Sequence, residues 1–312
     1  MNRKKLLNKA FQRGHLLSLK NKFYKEWFNR FILDEIKADL GRKGDITSGA
    51  VINDKFVDAI VESRENGVIA GIEEVVYIYR KNRIQVKVLK KDGDKIRKGS
   101  KILELRGKEK DLLRIERSAL DLLQRMSGIA TLTYSTIHSI NSRIPIAPTR
   151  KTQWRYLDKK AVFVGKGLTH RLALWESILI KDNHLRALEK EGVESIVEVA
   201  IKRAWKRRKT ANFIEIEVGN LKQALDAGRM FKTLNKGSYP CLVMLDNIPP
   251  KKISAIIEKL KKEKLFGHVL LEASGGITPR NVKNYINTGV DVISMGFLTH
   301  SSHALDIKQY IK

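Results

Sequence analysis

The chain has 312 residues, 42% of them apolar, which is material for a full hydrophobic core in one large domain or two smaller ones. Its single cysteine, Cys241, has no partner for a disulfide or a cysteine metal cluster, so a reducing, cytoplasmic setting is expected. No run reaches the roughly 18 apolar residues of a membrane helix, and the net charge of +27 leaves three readings: nucleic acid, anionic small molecules, or a lysine-rich solvated surface.

Residues 1–30 form a basic N-terminal extension with nine Lys or Arg and one acid, Glu26. A peripheral helix docking on its own domain is the expected outcome there, ahead of targeting. Residues 31–140 are expected to form an N-terminal domain. Between Ile52 and Arg106 apolar and polar residues alternate, broken at Glu65-Asn66-Gly67 and Asp92-Gly93-Asp94, as in antiparallel sheet. From Leu112 to Ile140 the stripe Leu112, Ile115, Ala119, Leu122, Leu123 and Met126 predicts a linking helix, interrupted at Ser127-Gly128.

Residues 141–312 change character. Six apolar runs, beginning near Ile144, Ile178, Phe213, Leu242, Val269 and Val292, each end in residues that handle charge, with amphipathic helical stretches between them. Buried parallel strands in an α/β barrel have this pattern, and in barrels the chemistry sits where the strands end. After the last run the chain is expected to return toward the first domain near Ile307.

The strand ends divide by charge. The first two bring Arg150, Lys151 and Lys181, with His170-Arg171 between them, while the third and fourth bring Glu217 and Asp246. Such a site holds an organic anion on one side and a divalent cation on the other. Magnesium favours one or two carboxylates plus substrate phosphate oxygens, so Glu217 and Asp246 are the candidate metal residues, directly or through water. The last two ends carry Ser274-Gly275-Gly276 and Gly296-Phe297-Leu298, where glycines let backbone N–H groups approach a phosphate and a following helix would add its dipole. Nothing in the sequence turns the positive charge into nucleic-acid recognition, since stacking aromatics, zinc knuckles and helix-turn-helix spacing are all missing from it.

The strings Gly-Asp-Ile-Thr-Ser (44–48), Glu-Arg-Ser-Ala-Leu-Asp-Leu-Leu-Gln-Arg-Met-Ser-Gly-Ile-Ala-Thr (116–131), Thr-Arg-Lys-Thr (149–152), His-Arg (170–171), Ile-Lys-Asp-Asn-His (180–184), Met-Leu-Asp-Asn (244–247), Leu-Glu-Ala-Ser-Gly-Gly-Ile (271–277) and Gly-Phe-Leu-Thr-His-Ser (296–301) occur in one order. That order resembles the quinolinate phosphoribosyltransferases, from about Leu33 to Ile307. The resemblance implies an α/β fold with an N-terminal α/β sandwich followed by an incomplete, TIM-like α/β barrel. It also implies a magnesium-dependent homodimer with shared active sites, making nicotinate mononucleotide, pyrophosphate and carbon dioxide from quinolinate and phosphoribosyl pyrophosphate.

Carried over residue by residue, the quinolinate-binding cations would be Arg150, Lys151, His170, Arg171 and Lys181, with Arg117 reaching in from a partner subunit. The ribose and metal side would be Glu217 and Asp246, and the phosphates would meet Ser274, Gly275, Gly276, Gly296, Phe297 and Leu298. Lys151, Lys181, Glu217 and Asp246 are the candidate catalytic residues. The pattern departs from the family at Gln153-Trp154-Arg155, about two residues short, and at Lys166 between Gly165 and Gly167. Arg155 is the candidate to supply the cation of the missing loop. A paralogue acting on another anionic heterocycle, or a non-catalytic nucleic-acid-binding descendant, are the alternatives.

Overall fold

The computed structural model describes residues 2–141 and 144–312. They form two compact units, one built from residues up to Arg13 with 136–153 and 167–300, the other from 14–135, 154–166 and 301–312. The chain begins with α1 (Arg3–Phe11), α2 (Lys22–Leu40) and α3 (Ile46–Val51), then β1 (Phe56–Ser63), β2 (Gly67–Val68), α4 (Ile72–Lys81), β3 (Gln85–Val88), β4 (Lys95–Ile96), β5 (Lys101–Lys108) and the long α5 (Glu109–Ile140). It continues with β6 (Ile146–Ala147), α6 (Tyr156–Val164), β7 (Ile178–Ile180), α7 (Asp182–Lys190), α8 (Ile196–Lys206), β8 (Ile214–Val218) and α9 (Leu221–Leu234). The last elements are β9 (Cys241–Asp246), α10 (Pro250–Lys262), β10 (Leu270–Ser274), β11 (Val292–Ser294), α11 (Phe297–His300) and β12 (Ile307–Ile311).

The unit that contains α5 is organised on an antiparallel sheet of order β12-β1-β5-β3. β5 buries Leu103, Leu105 and Gly107 and turns Arg106 and Lys108 out, the period of two that sorts a strand into two faces. β12 pairs with β1 from Ala59↔Ile311 to Ser63↔Ile307, so the C-terminal residues complete this sheet. Helix α5 buries the stripe expected of it, Leu112 through Met126. It does not break at Ser127-Gly128. Ser127 Oγ accepts from the Ala70 amide at 3.1 Å, and a Cβ on residue 128 would lie 1.9 Å from the His303 carbonyl oxygen. Glycine is present because another segment passes against the helix, and a helix interior tolerates it at a cost of about 1 kcal/mol.

A buried charge network holds α6 in the same unit. Lys160 Nζ donates to Glu73 Oε2 at 2.5 Å and to Glu74 Oε1 at 2.6 Å, and Tyr24 Oη donates to Glu74 Oε1 at 2.8 Å. The shortened segment before α6 is equally fixed, since Arg125 pairs with Asp158 at 2.7 Å and its guanidinium lies 5.4 Å from the Trp154 ring centre.

The other unit is the α/β barrel-like one. Its six strands are all parallel, in the order β6-β11-β10-β9-β8-β7, and no ladder among the described residues joins β6 to β7. Leu242, Leu270 and Val292, near the starts of β9, β10 and β11, form a buried cluster with Phe213 and with Leu6, Leu7, Ala10 and Phe11 of α1. The basic extension therefore does not act as one piece: α1 seals the end of the sheet where the strands begin, and residues from Gly14 onward belong to the other unit. Burying three large side chains here, at about 1.5–3 kcal/mol each, gives the helix a strong reason to dock. The sealed end leaves the opposite rim, where the strands finish, for the site.

Replacing Lys160 with Met leaves Glu73 and Glu74 without their cation, Glu74 fully buried. A loss of about 3–5 kcal/mol of stability is expected, read as a lower urea midpoint, and an unchanged midpoint would show that the network is energetically idle.

Candidate active site

At the finishing ends of the parallel strands lies a cavity of about 560 Å³. Every strand contributes to it: Arg150 and Lys151 after β6, Lys181 after β7, Glu217 on β8, Asp246 on β9, Ser274 and Gly275 from β10, and Gly296 after β11. His170 and Arg171 line it from the segment before β7. Residues separated by up to 151 positions (Thr149 to His300) thus meet because parallel strands all end on one rim.

The cationic side is held by local hydrogen bonds. Thr149 Oγ1 accepts from the Lys151 amide at 3.2 Å, and Thr299 Oγ1 donates to the Lys151 carbonyl at 2.7 Å. Lys181 precedes the first turn of α7, where its amide donates to His184 Nδ1 at 2.8 Å. Arg171 is buried and donates from Nη1 to the Ser177 carbonyl at 2.9 Å.

The acidic side is under electrostatic load. Burial, and then the charge of Asp246, push Glu217 up to about 7. Asn247 Nδ2 donates to Asp246 Oδ2 at 2.6 Å, and its own amide donates to the Ser274 carbonyl at 2.9 Å. Asn247 has φ +54°, the left-handed region that Asn tolerates. Gly275, at φ +93°, faces it so closely that a Cβ would lie 2.4 Å from Asn247 Oδ1. The β9 acid and the β10 glycine turn are therefore one packed assembly. Two neighbouring carboxylates, with Glu217 raised by burial and by the charge of Asp246, form an oxygen donor set that fits a hard divalent cation, which would relieve the repulsion.

One expectation needs correction, the helix after Gly276, and others meet the geometry as follows. His170 was expected among the substrate cations, yet both its ring nitrogens are engaged: Nδ1 accepts from the Arg171 amide at 2.6 Å, and Nε2 lies 3.4 Å from Glu215 Oε2 and 3.4 Å from Glu272 Oε2. No eight-residue helix follows Ser274-Gly275-Gly276; the chain there forms only the short turn Val282–Tyr285, so the phosphate argument rests on backbone N–H groups and not on a helix dipole. Arg155 is exposed, caps α6 at φ +41°, and is not among the cavity residues. Leu298 is fully buried and does not line the cavity, while Arg117 is exposed on α5 and pairs with Asp121 at 3.3 Å.

Glu215 and Glu272 are the residues that sequence reasoning missed. Both are fully buried, and their carboxylate oxygens have no hydrogen-bond partner of ordinary geometry. Burial, and then Glu272, push Glu215 up to about 8. With His170 they present ligand atoms within 4.8 Å of one another, a grouping that could hold a metal ion. The amide hydrogen bond at Nδ1 argues for a proton on Nε2 instead, because a neutral imidazole accepts at one nitrogen and donates from the other. Their signal lay in the strand period: Glu215 and Glu217 share a face of β8, as Glu272 and Ser274 do of β10, so each pair places one acid inside the barrel.

Because a proton competes for Glu217, divalent-cation affinity should weaken as pH falls below about 7, by up to about tenfold per pH unit. Titrating magnesium at about pH 6 and about pH 8 checks this, and equal affinity at both would remove the acid pair as the cation site.

Comparison with known proteins places this geometry. The model of the quinolinate phosphoribosyl transferase N-terminal domain matches residues 45–127, and that of the C-terminal domain matches residues 129–309. A "probable nicotinate-nucleotide pyrophosphorylase [carboxylating]" of Methanothermobacter thermautotrophicus is 38% identical over 289 residues, covering 90% of this chain and 98% of that protein. Its counterpart of the same name in Bacillus subtilis is 36% identical, covering 91% of each. Among solved structures, the nicotinate-nucleotide pyrophosphorylase of Ehrlichia chaffeensis aligns with a TM-score of 0.80 at 32% identity, over 91% of this chain and 98% of that one. With both domain models matched in order along nearly its whole length, the chain belongs to the quinolinate phosphoribosyltransferase family.

Proposed function

We propose that this chain transfers the phosphoribosyl group of phosphoribosyl pyrophosphate to quinolinate with loss of carbon dioxide, giving nicotinate mononucleotide and pyrophosphate, in the cytoplasm and with magnesium. The observation that carries this reading is the charge division of one cavity, Arg150, Lys151, Arg171 and Lys181 on one side and Glu217 with Asp246 on the other. A dianionic heterocycle fits the first side, and a ribose bearing phosphates and a metal fits the second.

The four cations hold the two carboxylates of quinolinate and aim its ring nitrogen at the anomeric carbon. Arginine suits this because its planar fork meets a carboxylate with two parallel hydrogen bonds. As the nitrogen–carbon bond forms, the bond from the anomeric carbon to pyrophosphate breaks and the electron pair leaves on oxygen. Glu217 and Asp246 favour the positive charge that develops on the ribose, and Lys151 and Lys181 favour the negative charge on the departing group. Backbone N–H groups at Ser274-Gly275-Gly276 and Gly296-Phe297 hold the phosphates. Magnesium, when bound, would be held by Glu217 and Asp246 and would neutralise the diphosphate charge. The ring nitrogen is then cationic, so the pair left when carbon dioxide departs from the adjacent carbon is stabilised by the ring until that carbon takes a proton from solvent.

Supplied with phosphoribosyl pyrophosphate and magnesium, the purified protein should turn over quinolinate at least about 1000-fold faster than nicotinate. The site is built for a second carboxylate, and a missing polar group leaves its cations unpaired, an effect that can reach about 10⁴-fold or more. Comparable use of nicotinate or of another monocarboxylate would replace this assignment with a paralogous activity.

We further propose that the active form is a homodimer in which Arg117 serves the partner's cavity. Lys181→Ala should lower kcat by about 100- to 1000-fold, the cost typical of removing one charge-assisted contact made in the transition state. Mixed with an inactive Arg117→Ala variant, it should recover activity through hybrid sites. If verified subunit exchange brings no recovery, Arg117 acts within its own chain or not at all.

A further inference from the structure

Helix α1 buries Leu7, Ala10 and Phe11 in the core and turns Lys5 and Lys9 toward a second cavity, of about 850 Å³, that shares no lining residue with the first. Lys232 and Lys236, at the end of α9 and just past it, face the same space, with His268 completing the wall. No Asp or Glu lines it. Among the described residues none of these lysines forms an ion pair, and Lys236 Nζ finds only the Lys232 carbonyl at 3.4 Å.

The remaining lining mixes apolar and polar surface: Leu6 with Asn2, Asn235 and Ser238 and the backbone of Gly237 and Gly267. The wall is pre-formed. Arg3 pairs with Asp291 and donates to the Phe266 carbonyl at 2.7 Å, Thr169 Oγ1 donates to the Phe11 carbonyl at 2.6 Å, and Phe11 stacks on His170 at 4.1 Å between ring centres. Burial and then Lys232 and Lys236 hold His268 below its usual range, so the cations act on one another across a short gap.

A net charge of +27 makes basic surface common on this chain, and part of it is neutralised by ion pairs. Lys202, Lys259 and Lys261, for example, each pair with a glutamate of their own helix or next to it. Four unpaired lysines around one concave, acid-free space are a different arrangement, because low-dielectric walls focus their field on whatever enters. The volume lies within the usual range of small-molecule sites, roughly 300–1,000 Å³.

We propose that this cavity is a second anion site that binds a small polyphosphate, with a nucleoside di- or triphosphate as the ligand class. The lysines would take the phosphates, and Leu6, Asn2 and Ser238 would face the nucleoside, while Asn235 is held by its own hydrogen bonds to Tyr239 and Gly237. Binding would bridge α1 to the end of α9.

Calorimetry in magnesium-free buffer tests it, with ADP and tripolyphosphate as separate titrants. Four proteins are compared: the unaltered chain, Lys151→Ala in the first cavity, the double variant Lys232→Glu/Lys236→Glu, and the charge-matched control Lys251→Glu/Lys252→Glu on α10. Both titrants should show a binding event that survives in Lys151→Ala and in the α10 control but weakens about tenfold or more in Lys232→Glu/Lys236→Glu, as expected for lost charged hydrogen bonds. ADP should bind more tightly than a diphosphate alone would predict from the tripolyphosphate result. An unchanged circular dichroism spectrum and melting temperature in the double variant would keep misfolding out of the comparison. Equal weakening in both double variants would reduce the effect to diffuse charge. Loss of binding in Lys151→Ala would return it to the first cavity, and binding of tripolyphosphate without ADP would overturn the nucleotide assignment.

Discussion

Two carboxylates set side by side in a half-buried site cannot both ionise cheaply near neutral pH, and Glu217 beside Asp246 is in that position. Much of the surrounding architecture follows from holding this pair together. Asn247 donates to Asp246 and bonds through its amide to the end of β10, which obliges the backbone at 247 to be left-handed and residue 275 to lack a side chain. Across the cavity the cations stand on the segments after β6 and β7, so that the field reverses within the width of one substrate pair. The repulsion that raises the proton affinity of Glu217 is also what gives a divalent cation its place.

Beneath that rim lies a second electrostatic problem. Glu215 and Glu272 are fully buried with only the Nε2 edge of His170 between them. Glu272 lines the floor of a cavity whose proposed substrates are anions, and Glu215 adjoins it across the His170 ring. A proton retained near Glu215 keeps that floor from carrying two full negative charges, in line with the upward shift of its carboxyl group. His170 in turn is clamped from the other side by Phe11, which ties the ring orientation to the docking of α1. A helix that reads in the sequence as a basic segment docking on its own domain is thus part of the packing that sets the histidine in the site.

The unit containing α5 solves its problems differently, by closing a charge network instead of spreading it. Lys160 is surrounded by Glu73 and Glu74 with Tyr24 as a further donor, and Arg125 with Asp158 fixes the segment in which this chain is shorter than its family pattern. Trp154 packs against the Arg125 guanidinium.

Sequence by itself determined the six strands, the rim on which they end, and the sign of charge at each of those ends. It could do so because a buried parallel strand is a short apolar run and its charged terminus follows directly in the chain, both local properties of adjacent residues. Arg150, Lys151, Lys181, Glu217 and Asp246 were all legible on those grounds. The buried acids Glu215 and Glu272, the engagement of both His170 nitrogens, and the role of Gly128 were not, since each depends on a partner distant in the chain: Glu272 lies 102 residues from His170, and His303 lies 175 from Gly128. Only the tertiary structure decided which face of α1 would be buried. Its apolar residues could equally have met another surface, and the choice was made by the open end of a sheet at whose strand starts lie Phe213, Leu242, Leu270 and Val292.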